Sequence, residues 1–286
     1  MIELLFIAVV GFLLIVVLLV WLGERILANR FKGLVQSGFK KYPIQEGDLI
    51  SETDIAHLPA IVQKYMHFTK SVGKPKIFNF NAVFKGGMRA NPGDPYMPMR
   101  TVQYNFIEEP ARYFWFSARK SGLPITGMHI YRSSGAVFDV LLLNWFPIIK
   151  ASGDQLKQAE TVTVLNDFCF IAPGALIDPR ISWETISETN ARASFTNPPF
   201  SISAELYFTS AGALINFIST DRYETDGKQY KNYPWFTPVS DYREFNGYLL
   251  PSKAELWYDR PGGKFQYGEL EFLELRYNLA KRQTHV

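Results

Sequence analysis

Cysteine is almost absent. Cys169 is the only one in 286 residues, which excludes an internal disulfide and a cysteine-based zinc site. Histidine is nearly as scarce. His57, His67, His129 and His285 include no pair at i, i+4 and no carboxylate companion at ligand spacing, so no metal site is expected. There is no Gly-x-Ser-x-Gly elbow, phosphate loop or dinucleotide fingerprint; Gly86-Gly87 and Gly262-Gly263 read as plain turns. The formal charge is only +3 and no basic stripe appears, which argues against nucleic acid as a partner. Low-complexity tracts and fixed-period repeats are also missing. Without an acid–base or nucleophile constellation no catalytic residue is assigned, and no cofactor is expected.

What the chain does have is an unbroken apolar run from Leu4 to Leu22. A bilayer core needs roughly 20 apolar residues at helical rise. Glu3 precedes the run, Glu24-Arg25 closes it, and Trp21 stands where an indole rests at headgroup depth. The run is too long for the apolar part of a cleaved signal, its start is acidic, and its end offers no small-x-small site. An uncleaved anchor over residues 1–23 is therefore expected, with the bilayer as partner. Arg25, Arg30, Lys32, Lys40 and Lys41 follow it. The positive-inside rule then places the large domain in the cytoplasm. Residues 24–48 read as a juxtamembrane tether, helical near the bilayer, and residues 49–286 as one domain.

The domain is aromatic, with 23 Phe and 15 Tyr in the chain, which suits strands. Pro59 opens a short helix whose apolar face is Ile61, Val62, Tyr65 and Met66. From Lys76 the period changes to two: Phe78, Phe80, Ala82 and Phe84 point one way, Asn79, Asn81 and Lys85 the other. Strands and turns alternate to Leu143. Ser152-Gly153-Asp154-Gln155 then fits a capping box, and Leu156, Ala159, Val162, Leu165 and Cys169 follow at helical spacing. About six more strands complete the chain. The expected fold is mainly β with minor α: a large curved antiparallel sheet, a half-barrel, lidded by two short helices. So long a sheet must curl.

The segment Asp241-Tyr242-Arg243-Glu244-Phe245-Asn246-Gly247-Tyr248-Leu249-Leu250-Pro251 runs strand, Asn-Gly turn, apolar-Pro, strand. In this it resembles the lipoprotein-carrier (LolA/LolB-like) half-barrels. Leu58-Pro59 to Phe68, Tyr96-Met97-Pro98, Asp221-Arg222-Tyr223, the same Asp241–Pro251 segment and Trp257 are similar to an uncharacterised bacterial family with one N-terminal span. The carrier resemblance implies an apolar ligand, a lipid or acyl chain. It also implies an extracytoplasmic location, opposite to the charge count.

On this reading Phe78, Phe80, Phe84, Tyr104 and Trp115 line a greasy cleft. Two unusually apolar loops gate it, one carrying Trp145 and Phe146, the other Trp235 and Phe236. Arg132, with Asp139 across the Ser133-Ser134-Gly135 turn in some registers, supplies a polar group for a headgroup. A second reading makes the aromatic loops a dock for another membrane protein. A third, a cofactor-free enzyme using the same cleft, has the least support.

Overall fold

The computed structural model describes residues 1–44 and 47–283; His285 and the tether's Gln45 and Glu46 lie outside the described residues. The elements in chain order are α1 (Ile2–Lys41), α2 (Glu52–Ile55), α3 (Ala60–Phe68), β1 (Asn79–Met88), β2 (Met97–Phe106), β3 (Ala111–Lys120), β4 (Leu123–Arg132), β5 (Gly135–Leu142), β6 (Phe146–Ser152) and α4 (Asp154–Phe170). They continue with β7 (Ile181–Thr185), β8 (Asn190–Asn197), β9 (Phe200–Phe208), β10 (Leu214–Ser219), β11 (Tyr223–Thr225), β12 (Tyr230–Asn232), β13 (Trp235–Phe236), β14 (Val239–Phe245), β15 (Tyr248–Arg260) and β16 (Gly263–Tyr277).

One antiparallel sheet runs β6-β5-β4-β3-β2-β1-β16-β15-β13-β10-β9-β8-β7, with β14 paired to β15. The first six strands form an antiparallel meander, and β16 returns to close against β1. The sheet curls as expected, and α3 and α4 fill its concave side. There Phe80, Ala82, Phe84, Leu156, Val162, Leu165, Phe168 and Cys169 share one core with Ile202, Ala204 and Leu206. Tyr65 ties the two helices by donating to the Cys169 carbonyl at 2.6 Å.

Three local readings change. The capping box at Ser152 is not used: Ser152 ends β6, and Gly153, at φ 101°, precedes α4 without a side-chain cap. A capping box does form at Ser51, whose backbone N–H donates to Asp54 at 2.8 Å and opens α2. The apolar stretch 141–149 is no loop but the β5–β6 hairpin, and the Tyr233–Pro238 segment contains the short strand β13.

The largest departure lies between residues 24 and 41. The apolar helix does not pass into a slack tether. It runs on as one 40-residue helix, about 60 Å at helical rise. Its second half lies along the convex face of β1–β4, where Leu27, Ala28, Phe31 and Val35 bury against Val83, Val102, Tyr104, Tyr113, Trp115 and Met128. Gly38 allows the closest approach, since a Cβ there would meet the Phe106 ring at 2.6 Å. Asp139 consequently pairs with Arg30 of α1 at 3.6 Å rather than with Arg132. The β4–β5 register sets Asp139 opposite Met128 and Arg132 opposite Gly135.

Candidate functional site

Strand alternation sorts the residues of β1–β5 onto two faces. Phe80, Phe84, Thr101, Gln103, Asn105, Arg112, Phe114, Phe116, His129 and Phe138 point into the concavity, while Tyr104, Trp115, Met128 and Asp139 point to the α1 side. The expected cleft residues are therefore divided. Phe80 and Phe84 belong to the concave core, with the Phe84 ring tilted against Phe272 at 4.4 Å. Tyr104 and Trp115 lie on the opposite face under Phe31, Trp115 at 5.6 Å. Phe78 precedes β1 and lines a shallow cavity of about 310 Å³ with Ile77, Ile107 and Ile177. Trp235 is buried in the concave core and Phe236 stacks outside it on Trp257. Arg132 points to the convex face at the end of β4, where its Nε has no partner. These residues do not form one cleft, because cross-strand partners share a face and sequence neighbours do not.

What the concave face does hold is a buried polar layer between α4 and β2–β4. The apolar side of α4 is legible in the sequence; its other side, with Glu160, Thr163, Asn166 and Asp167, is buried too. Arg112 donates from Nε to Asp167 at 3.0 Å, and from its two terminal nitrogens to Glu160 and Gln103, each at 3.1 Å. Gln103 and Asn105 also donate to Asp167 at 2.7 and 2.9 Å. Arg222 extends the layer, donating to Thr163 at 3.2 Å and lying 4.4 Å over the Trp235 ring.

The electrostatics follow from burial. Burial pushes the Asp167 carboxyl up to about 6, against the pull of Arg112. Burial also lowers His129 to about 4, so its imidazole is neutral at pH 7. Burial opposes ionisation of Glu160 as well, but His129, protonated in the acid range where Glu160 titrates, together with Arg112 and Arg222 holds its carboxyl below the usual range. Arg112 and Arg222 thus balance Glu160 and Asp167. Two polar atoms stay unpaired at the rim of this layer: His129 Nε2, 3.2 Å from Glu160 Oε1 without a hydrogen bond, and Thr101 Oγ1. Cys169 is buried, and burial pushes its thiol up, which fits a packing role.

Beyond the polar layer the concave face turns apolar. Met99, Phe116, Ala118, Ile125 and Val140 cluster with Met88, Met97, Phe114, Phe138, Leu142 and Ile149. This methionine–phenylalanine patch lies at the pole where the apolar half of α1 leaves the fold. The β3–β4 and β5–β6 turns meet at the same pole, joined by the Leu143 amide donating to the Pro124 carbonyl at 2.8 Å. From the second turn, Trp145 Nε1 donates to the Leu19 carbonyl at 2.8 Å and Asn144 to that of Val20 at 3.1 Å. A Cβ at Gly23 would lie 2.7 Å from the Trp145 indole nitrogen, so this seat needs glycine. Trp145 and Phe146 remain 45% and 61% exposed, beside exposed Leu123 and Ile148. The sequence reading names two residues of this tip, Trp145 and Phe146, and none of its candidate site residues belongs to the patch behind it.

A family model described as a family of unknown function, DUF6544, matches residues 48–270. The chain belongs to that family. The match covers the domain from just before α2 into β16 and includes every member of the polar layer. No curated protein matches. Among solved structures the chain is similar to a domain assigned to an outer membrane lipoprotein-sorting protein from Vibrio parahaemolyticus. That likeness has 10% identity, 76% of this chain and 90% of the other covered, and a TM-score of 0.43. A LolA superfamily protein from Nitrosomonas europaea gives 11% identity, 76% and 92% coverage, and 0.37. Both are loose likenesses of chain path, and neither bears on ligand or activity.

Proposed function

We propose that this DUF6544 chain is a membrane-anchored binding protein whose concave methionine–phenylalanine patch takes the acyl part of an amphiphilic ligand. One observation carries the reading: the patch, the exposed tip Leu123-Trp145-Phe146-Ile148 and the exit of the apolar helix share one pole. A helix that is apolar and largely exposed from Leu4 to Leu22 is long enough to cross a bilayer. With that half in lipid, the tip docked at Leu19–Gly23 sits at headgroup depth. The patch then opens toward the acyl region, and the outer Phe and Trp rings partition into the interface.

The seat of α4 suggests how room is made. Toward β8–β10 the helix is held by Leu156, Val162, Leu165 and Phe168, apolar surface that water does not compensate. Toward β2–β4 it is held by hydrogen bonds and ion pairs, whose groups recover hydration when separated. Opening is therefore cheaper on the β2–β4 side, next to the patch. Methionine side chains adapt to an irregular guest better than branched ones. Burying an acyl chain contributes about 0.8 kcal/mol per CH₂, enough to offset the loss of a few charge-assisted bonds.

The full chain purified in mild detergent is expected to release acyl lipids on extraction, detected by mass spectrometry. Phe138→Ala and Met97→Glu, at half-buried positions of the patch, should reduce the yield. A chain that carries no lipid and binds no fluorescent fatty acid refutes the reading. The exposed tip also supports a second one, docking of another membrane protein. That reading predicts a stoichiometric partner lost on Phe146→Ala with Ile148→Ala while lipid content stays constant. Trp235 is no anchor for such a partner, being buried beneath Arg222.

A further inference from the structure

Where α1 leaves its apolar half it stands off the sheet and encloses a cavity of about 320 Å³ against β2 and β3. One stripe of the helix faces it: Trp21, Arg25, Ala28 and Lys32, spaced i, i+4, i+7 and i+11. The opposite wall is the convex side of the sheet, where Arg100 and Ser117 are cross-strand partners. Trp115 and Val102 make the floor, and small Ala28 leaves the space. Glu24 contributes the one carboxylate of the lining.

The charges here differ from the other basic groups of α1. Arg30 pairs with Asp139 and Lys41 with Glu109. Among the described residues, Arg25, Lys32 and Arg100 have no carboxylate oxygen within 4.0 Å. Arg25 instead lies 5.1 Å over the Trp21 ring, which orients its guanidinium without neutralising it. Three free cations against Glu24 leave the cavity with a net charge of +2. Trp21 to Lys32 spans about 16 Å of helix, beginning where the apolar run ends. A polar headgroup layer is roughly 5–8 Å deep on each side of the hydrocarbon, so Arg25 falls within it and Arg100 reaches in from the domain.

We propose that this cavity binds the phosphate of an anionic phospholipid headgroup, clamped between Arg25 and Lys32 on the helix and Arg100 on the sheet. Trp21 supports the glycerol region, and the acyl chains lie along the apolar half of α1. The proposal rests on that half spanning a bilayer, as argued above, but not on the concave patch, which is on the other face of the sheet. Its consequence is mechanical: a bound lipid bridges the span and the domain and fixes the angle at which the tip meets the membrane.

The test uses the full chain in nanodiscs of phosphatidylcholine with or without phosphatidylglycerol, transferred to detergent for native mass spectrometry. Retention of one phosphatidylglycerol and no phosphatidylcholine is expected. Arg100→Gln should lower its occupancy about fivefold, the effect of one basic residue near an anionic surface. Arg192→Gln, on β8 away from α1 and outside the cavity, where it pairs with Glu184 and Glu205, should not. Equal loss in both variants, or equal retention of both lipids, overturns the proposal. Inorganic phosphate should not displace the lipid; displacement would assign the cavity to free phosphate. Alkaline carbonate extraction of native membranes separates the two failures. A chain that is released refutes the span itself, whereas one that stays but retains no anionic lipid refutes only this site.

Discussion

Replacing Asp167 by asparagine measures what the buried polar layer costs. The Asp167 carboxyl is pushed up to about 6 from an ordinary 3.8, burial outweighing Arg112. The folded state therefore binds this proton more tightly than the unfolded state does. Between pH 4 and 6 the unfolded chain loses the proton first, so wild-type stability falls as pH rises. About two pH units at about 1.4 kcal/mol each give a loss of about 3 kcal/mol. In Asp167→Asn the amide oxygen still accepts from Gln103 and Asn105 and the group does not titrate, while Arg112 keeps Glu160 and Gln103. Any packing offset is common to all pH values. Thermal unfolding of both full-length proteins in detergent, followed by tryptophan fluorescence from pH 4 to 7, gives the difference curve. The variant should gain on the wild type by roughly 6–12 °C across the range, taking 2–4 °C per kcal/mol. A difference that moves in favour of the wild type as pH rises refutes the reasoning. It would mean that Arg112 dominates and holds Asp167 below its ordinary range.

Two glycines on α1 test the seat of the helix. Gly38→Leu places side-chain atoms against Phe106 and Tyr113 and should destabilise by about 1–3 kcal/mol in thermal unfolding. Gly33→Ala faces open space and should stabilise by up to about 1 kcal/mol through helix propensity alone. A fragment beginning at Ile44 removes α1 from Tyr104, Trp115 and their neighbours. It should bind a hydrophobic dye and aggregate where the full chain does not; a monomeric fragment with wild-type unfolding would show that the helix is dispensable.

Much of the fold is written locally. Alternation over Phe78–Lys85 sets the pitch of β1, and the Pro59 start and the apolar spacing of α4 give both lidding helices. Other features need partners distant in sequence. Asn79 and Asn81 point away from the Phe face of β1, yet both are buried, Asn79 donating to the Leu279 carbonyl of the C-terminal segment and Asn81 to that of Gln103. Residues 24–41 read as a tether because of their charges. The stripe Leu27, Phe31, Val35 and Gly38 is nonetheless visible at helical spacing, and it marks the face that packs. Glu160 and Asp167 give no such signal. Each looks like the exposed side of an amphipathic helix until Arg112, on a strand far earlier in the chain, is folded over them.

The same arrangement joins the apolar helix and the sheet into one packed body. A slack linker would let the half-barrel tumble beside the bilayer, and its apolar tip would meet lipid only by chance. Here the helix that leaves the apolar segment is itself part of the core, with Phe31 and Val35 1% and 0% exposed. It is stapled at both ends of its contact. Trp145 and Asn144 hold it at Leu19 and Val20, and Lys41 pairs with Glu109 at the other end. Any tilt of the apolar half is therefore transmitted to the sheet through packed side chains and two hydrogen bonds, not through a hinge. On the proposed reading, with the apolar half in lipid, the bilayer sets the orientation of the domain, and with it the direction in which the methionine–phenylalanine patch opens.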